Sequence, residues 1–547
     1  MDFHTLFPII DSPFLGCGYP LSSGCSGGIL APVPHRIASD QQSKTQKLAA
    51  RHGEDAMNEN ELAYMSVAEQ AKLIEKKEIS PVDLIQLYLD RIEKWDGVLH
   101  SWITVCGARA LDQAKKAEAE IANGNYRGPL HGIPFGAKDQ ITTGDIPTTM
   151  ASIIQSDFGE GMTATAVTKL EKAGAILLGK NNMHEFGKGS SVNFHFGEPK
   201  NPWNLKYEPS HSSTGSGVSV SAGLVSTSLG EDTGGSIRGP AWANGVVGIR
   251  PTFGRVSRYG GIMYAWTQDT IAPLTRTVAD NALVLQTIAG HDPKDPLSSD
   301  RPVPNYAEHF TKDLKGVKLG LVREMSVGQE LHPDVDKMLK SALDVLTSLG
   351  ATVEEVSLPK AKFAIPLQLL TSDPDVASIF VRKWLRQHWD KFDVGTRTRM
   401  AAAALVPATI HSRAMRGRVL VRNEILNSFK TYDALVALMN FVPPLKLEDA
   451  VEKIDNKEDI ATRMFKSRRI CTYPFSVANV PAISVPSGFT DEDLPMSIQI
   501  ATKPFDETMM FRIANAYEQA TEWHTRHPDL EKTVGPALGA EMMMAGE

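Results

Sequence analysis

The run Gly230-Glu231-Asp232-Thr233-Gly234-Gly235-Ser236-Ile237-Arg238-Gly239-Pro240 sets a hydroxyl directly after three backbone N–H groups that have little side-chain cover. A Gly-Gly pair reaches backbone conformations closed to other residues and lets a ligand approach the main chain. Successive N–H groups turned toward one point form an anion-binding nest, suited to the oxygen that becomes negative when a carbonyl is attacked. Ser236 is therefore a candidate nucleophile beside an oxyanion hole. Taken alone, these eleven residues are more simply an ordinary Gly-rich turn.

A serine nucleophile needs a base, usually histidine. Of the fifteen histidines, His131, His184, His195 and His211 precede Ser236 in this part of the chain, and none sits in a motif that pairs it with a carboxylate. They read as structural or exposed. Lysine is the other option. Lys138 closes the stretch Gly128-Pro129-Leu130-His131-Gly132-Ile133-Pro134-Phe135-Gly136-Ala137-Lys138-Asp139, an apolar, glycine-containing run of strand character. Desolvation there favours the uncharged amine and pulls its pKa below the ordinary value of about 10.4. A neutral buried lysine accepts a proton, whereas a surface lysine ending a strand would do nothing.

The second serine cluster, Pro209-Ser210-His211-Ser212-Ser213-Thr214-Gly215-Ser216-Gly217, leads into small residues from Val218 to Gly223. Small residues permit close helix packing and set several hydroxyls beside the Gly-Gly-Ser turn. Lys138, Ser212 and Ser236 then supply a base, a relay and a nucleophile in chain order. Two other patterns are set aside. Gly174-Ala175-Ile176-Leu177-Leu178-Gly179-Lys180-Asn181 nearly spells a phosphate-binding loop, but it ends in asparagine where magnesium needs a hydroxyl, and its middle is a buried-strand pattern. Cys17, Cys25, Cys106 and Cys471 show neither a CxxC pair nor a zinc-like spacing, and read as reduced thiols in a cytosolic protein. The chemistry requires no metal or organic cofactor.

The elements that must position these residues are legible in outline. The 547 residues are 42% hydrophobic and 22% charged, a soluble globular balance whose length suggests more than one domain. A net charge of -7 with scattered basic residues gives no footprint for direct nucleic-acid binding, and no apolar run reaches the roughly eighteen residues of a membrane span. Residues 1–56 are dense in Pro, Gly and Ser without apolar periodicity; they read as a disordered leader or an upstream extension of a chain beginning at Met57. Asp2 and His4 stand where a signal peptide needs positive charge.

Beyond Met57, Ser66-Val67-Ala68-Glu69 is a capping box opening a helix, and Ser80-Pro81-Val82-Asp83 an N-cap with proline in the first turn of the next. Short apolar runs (175–178, 246–249, 318–322, 482–485) alternate with helices such as that from about Asp334 to Leu349, which predicts an α/β fold around a large mixed, mostly parallel sheet covered by helices. Residues 360–430 are helical and basic (Arg382, Lys383, Arg386, Arg397, Arg399, Arg413, Arg416, Arg418, Arg422), as a solvated helical face would be.

These motifs together resemble the amidase signature family. The resemblance rests on the paired serines and small-residue helix followed by Gly-x-Asp-x-Gly-Gly-Ser-x-Arg through Pro240, and on Val247-Gly248-Ile249-Arg250-Pro251-Thr252. It also takes in Gly128 to Asp139, Asn201-Pro202-Trp203, Asn479 to Pro486, Leu494-Pro495 and Gln499. It covers about residues 60–530, and so implies one catalytic domain, about 57–540, with the helical stretch at 360–430 on the side where substrate enters. It further implies Ser236 as nucleophile, Lys138 as base, and Ser212 as a bridging serine next to a cis peptide bond. The oxyanion donors would be the N–H groups of Thr233, Gly234, Gly235 and Ser236, with Ser213, Asp232 and Arg238 in support. The chain departs from the family at Ser210, His211 and Thr214, where glycines are usual, a change expected to alter loop shape or substrate access.

The function so implied is hydrolysis of an amide in a small molecule by a cytoplasmic amidase, with association as a homodimer left open. The alternative is the glutamine-hydrolysing A-type subunit of a tRNA-dependent amidotransferase, which would need partner subunits and an ammonia channel. Phe194, Trp266, Trp384 and Met439 are candidates either to line the substrate pocket or to fill the core.

Overall fold

A computed structural model of the chain describes residues 58–154, 158–189, 194–380, 384–450 and 468–538. The leader expected at residues 1–56, Met57, Cys17, Cys25, Arg382 and Lys383, and the end of the expected domain at 539–540 lie outside them. The chain divides into a short unit, Met1–Leu62, and a large one, Ala63–Glu547. Both helix starts expected from capping are present in the large unit. Ser66 Oγ accepts from Glu69 N–H at 3.2 Å while Glu69 Oε2 accepts from Ser66 N–H at 2.8 Å, opening the helix Val67–Glu75. Ser80 Oγ accepts from Asp83 N–H at 3.1 Å, with Pro81 at the first helical position of Pro81–Leu99.

The apolar runs lie side by side in one sheet. Among the described residues its strands are β1 (Trp102–Val105), β2 (Pro134–Lys138), β3 (Ile176–Asn181), β4 (Thr227–Asp232), β5 (Val247–Arg250), β6 (Thr270–Thr275), β7 (Lys318–Val322), β8 (Thr352–Val356), β9 (Ala434–Leu438), β10 (Ala482–Phe489) and β11 (Pro495–Ala501). Their order across the sheet is β1-β3-β2-β4-β6-β5-β10-β11-β9-β7-β8. Every residue of β2, β3 and β4 is buried, as expected of central strands covered on both faces.

The α/β class and the mixed sheet stand as the sequence predicts, but the sheet is not mostly parallel. Four of its ten pairings are parallel (β2 with β3 and β4, β7 with β8 and β9), and six are antiparallel. Short apolar strands between helices look alike in either direction. What decides here is β4–β6–β5 and β5–β10–β11–β9, where each strand returns antiparallel to its neighbour.

The look-alike phosphate loop is a strand, β3, entered through Gly174 at φ +90°, as its apolar middle predicts. The small-residue helix Thr214–Ser221 is buried along its whole length and packs on β2, β3, β4 and β6. Its glycines are needed for that approach: a Cβ on Gly215 would stand 2.3 Å from the Ser101 carbonyl oxygen and 2.6 Å from Asn182 N and O.

The basic helices Ala364–Phe380, Val394–Ala404 and Ala408–Ser428 are not simply a solvated face. Arg399 grips Asp373 through Nε at 2.6 Å and Nη2 at 3.0 Å; Arg418 donates to Val477 O at 3.2 Å and to Thr267 Oγ1 at 2.6 Å; Arg422 donates to Ala478 O. Long side chains on an amphipathic helix can turn their charge inward when carbonyls or a carboxylate await them, which composition cannot reveal.

Two glycine substitutions separate packing from propensity. Gly215→Ala should lower stability by about 1–3 kcal/mol because rigid backbone must move. Gly97→Ala, exposed in the last turn of Pro81–Leu99 with no atom within 4 Å of the added Cβ, should raise it by about 0.4–1 kcal/mol. Chemical denaturation of both variants measures the contrast.

Candidate active site

Parallel pairing of β2 with β4, with Ala137 opposite Leu229, carries Lys138 and the Glu231-Asp232 pair to the same end of the sheet. That is where open α/β sheets gather ligand-binding groups. Lys138 is fully buried, and its Nζ lies 2.9 Å from Ser212 Oγ, 3.2 Å from Glu231 Oε2 and 3.4 Å from Glu231 O. Burial lowers the lysine pKa from its ordinary value, outweighing the upward pull of the Glu231, Asp269 and Asp232 carboxylates. The strand-end lysine expected from sequence is thus an interior one touching the first serine of the pair.

Ser212 follows a cis peptide bond, His211–Ser212. Ser213 Oγ donates to Glu231 O at 3.1 Å and accepts from Glu231 N–H at 3.2 Å, while Ser213 N–H donates to Ser236 O at 3.1 Å. Ser213 therefore stitches the end of β4 to the Ser236 turn, which brings all three serines and Lys138 into one cluster. Ser236 is partly exposed, whereas Lys138 and Ser212 are buried.

The Gly-Gly-Ser turn is shaped from beneath by Asp232. Its carboxylate accepts from Gly235 N–H at 2.7 Å and Ile237 N–H at 3.4 Å, and pairs with Arg238 Nε at 3.1 Å and Arg250 Nη1 at 3.2 Å, all three charged side chains being removed from water. Burial alone would raise its pKa, but Arg238, Arg250 and the Gly235 N–H outweigh this and hold the carboxyl well below the usual range. One expected oxyanion donor is thereby corrected: Gly235 N–H points to Asp232. Gly235 itself has φ +112°, and a Cβ there would meet Thr472 Cβ at 2.8 Å. On Gly234 a Cβ would meet Tyr473 Cε1 at 2.7 Å.

The four histidines upstream of Ser236 each have other partners. His184 is buried, with Nδ1 3.0 Å from Thr214 Oγ1, and burial lowers its pKa to about 3. His211 accepts from Arg469 Nη2 at 2.8 Å and is held well below its ordinary value by burial and by that guanidinium. Two others do find carboxylates in space that no motif announces: His131 approaches Glu120 at 3.3 Å and His195 approaches Glu185 at 3.3 Å.

Sequence reasoning missed Glu231, Thr472, Tyr473, Arg250 and Asp269. Glu231 stands inside the Gly230–Pro240 run and Arg250 inside Val247–Thr252, but neither motif gives them a role. Of the candidate wall residues, Trp384 packs edge-on against Phe158 at 5.2 Å in a hydrophobic cluster, and Met439 is buried with Trp242 and Ala243. Trp266 is half exposed, and Phe194 lines a cavity of about 380 Å³ with His195, Asp390, Phe392, Asp393, Val394 and Arg397.

The sequence matches the family described as Amidase over residues 83–511. The chain belongs to the amidase signature family. It is an enzyme acting on carbon–nitrogen amide bonds, and its fold is that of the solved amidase signature enzymes. Among curated relatives, the A-type subunit of glutamyl-tRNA(Gln) amidotransferase from Halalkalibacterium halodurans is 39% identical over 481 residues, spanning 84% of this chain and 97% of the relative. Among solved structures, the A-type subunit of glutamyl-tRNA(Gln) amidotransferase from Thermotoga maritima is 31% identical with a TM-score of 0.70, covering 84% of this chain and 95% of that one. Native peptide amidase of Stenotrophomonas maltophilia is 28% identical with a TM-score of 0.74, covering 85% of this chain and 99% of that one.

Asp232→Ala leaves two buried guanidinium groups without their carboxylate and should cost about 3–5 kcal/mol of stability at neutral pH. The Asp232 carboxyl is depressed in the fold and ordinary when unfolded, so its contribution is complete above about pH 4 and lost as pH falls further. Denaturation curves across this range should show the gap between native and variant protein narrowing toward acid pH.

Proposed function

We propose that this amidase cleaves its substrate through an acyl-enzyme on Ser236, with Lys138 as base and Ser212 as proton relay. The observation that carries the reading is the 2.9 Å contact between Lys138 Nζ and Ser212 Oγ in a fully buried setting that favours the neutral amine. Lys138 takes the Ser212 proton as Ser212 takes that of Ser236, and the Ser236 oxygen bonds to the substrate carbonyl carbon. The N–H groups of Thr233, Gly234 and Ser236 are the donors assigned to the oxyanion, with Asp232 holding the turn that presents them. The proton returns through Ser212 to the leaving nitrogen as the C–N bond breaks, and water then releases the acid. No step calls on a metal or an organic cofactor.

Similarity over nearly the whole length of the A-type subunit of glutamyl-tRNA(Gln) amidotransferase supports glutamine as the amide donor and assembly with further subunits. It reverses the preference for a stand-alone amidase drawn from the sequence. The stand-alone reading retains support from the likeness to peptide amidase and from the serine loop, where His211 and Arg469 occupy space that glycines would leave open.

Folded Ser236→Ala or Lys138→Ala protein should lose at least about 100-fold of amide turnover; turnover equal to the parent's sinks the triad. Ammonia release from glutamine that appears only in a co-purified complex supports the role in an amidotransferase. Turnover of varied amides by the chain alone, with none from glutamine in any complex, supports the stand-alone enzyme.

A further inference from the structure

Lys138 Nζ has three polar neighbours, and two of them belong to one residue. The Glu231 main-chain carbonyl lies at 3.4 Å and its Oε2 at 3.2 Å, with Ser212 Oγ as the third at 2.9 Å. A neutral amine has two N–H bonds and one lone pair at tetrahedral angles, and a main-chain carbonyl can only accept. If both N–H bonds go to Glu231, the lone pair is left facing Ser212, whose hydroxyl can donate. The Glu231 side chain is itself fixed: it is 1% exposed, and its Oε1 accepts from Thr233 Oγ1 at 2.7 Å.

We propose that Glu231 is a positioning residue for the base, taking both N–H bonds of neutral Lys138 and thereby aiming its lone pair at Ser212. The proposal rests on Lys138 acting as the base. In the reaction Glu231 neither gains nor loses a proton. The proton passes from Ser236 through Ser212 to Nζ and back to the leaving nitrogen, and while Lys138 is an ammonium the Glu231 carboxyl group stands beside it at 3.2 Å.

The surroundings define how pH should report this. Lys138 is faced by Glu231 and Asp232 at the end of β4 and by Asp269 before β6, all raising its pKa against burial, and its own charge depresses His184 across the site. Glu231 is pushed up to about 7, chiefly by burial, with Lys138 opposing and Asp269 and Asp232 adding to the rise; its charge also bears on Tyr264. Glu231→Gln keeps an oxygen acceptor but removes the charge, so the amine should lose its proton more readily and the acid limb of activity should move to lower pH. Glu231→Ala removes the side-chain acceptor as well.

The readout is the second-order rate at which a fluorophosphonate labels Ser236 in the full chain, followed against pH, with the adduct located by mass spectrometry and folding checked by thermal melting. At the pH plateau Glu231→Ala should label at least about tenfold more slowly, and Glu231→Gln should recover most of that loss. A folded Glu231→Ala that labels within about twofold of the native rate overturns the proposal. If Glu231→Ala does not fold, the Glu231→Gln profile decides: an acid limb that stays in place or moves upward overturns it too. Failure of the underlying reading looks different, since label would then fall on a residue other than Ser236 or Lys138→Ala would label at the native rate.

Discussion

Taking the Lys138 amine out of water is the constraint on which the rest of the site depends. An exposed ammonium near pH 7 has no lone pair to offer, and a buried one is costly unless paired. The fold meets both conditions by ending a wholly buried strand at Lys138 and placing Glu231 of the parallel neighbour 3.2 Å away. The lysine can then lose its proton without leaving an unsatisfied group, and regain it beside a carboxyl. Removing a central strand would expose the amine and restore its ordinary basicity, so the large sheet sets the state of the amine as well as its position.

A second buried charge group turns that strand end into a shaped turn. Asp232, next in sequence to Glu231, points its carboxylate back under Gly235 and holds Arg238 and Arg250. Those guanidiniums reach outward to distant segments: Arg238 to Gln499 on β11 at 3.0 Å and to Ser476 at 2.7 Å, Arg250 to Asn479 at 3.1 Å. A single carboxylate thus ties the Gly-Gly-Ser turn to segments more than two hundred residues later. Consecutive acidic residues serve opposite ends: Glu231 lowers the cost of a proton on lysine, while Asp232 stays ionised and sets main-chain geometry.

What was legible in the sequence follows from which interactions are local. Caps at Ser66 and Ser80 and the strand character of 175–178 are set by neighbours within a few positions and are found where the sequence places them, whereas the small-residue helix starts at Thr214, ahead of the stretch Val218 to Gly223. Strand direction is a tertiary choice, and the antiparallel excess in β4 to β6 and β10 to β9 left no local mark. The proximity of Lys138 and Ser212 was inferred from residue type and chain order. The carboxylates that bear on the Lys138 charge, Glu231 and Asp269, enter through pairing and burial that no short window contains.

The basic helices show the same limit from the other side. Composition marks 360–430 as a charged surface, yet Arg399 is committed to Asp373, which also binds Lys188 at 3.1 Å, and Arg418 and Arg422 cap the carbonyls of Val477 and Ala478. Val477 ends the helix Tyr473–Val477, whose first residue covers Gly234. Helix ends leave carbonyls without main-chain donors, and guanidinium groups satisfy them without occupying space above the turn. The arginines therefore anchor the cover over the Gly-Gly-Ser turn from behind. Thr472 and Tyr473 lie against Gly235 and Gly234, so this anchoring holds the cover in contact with the turn.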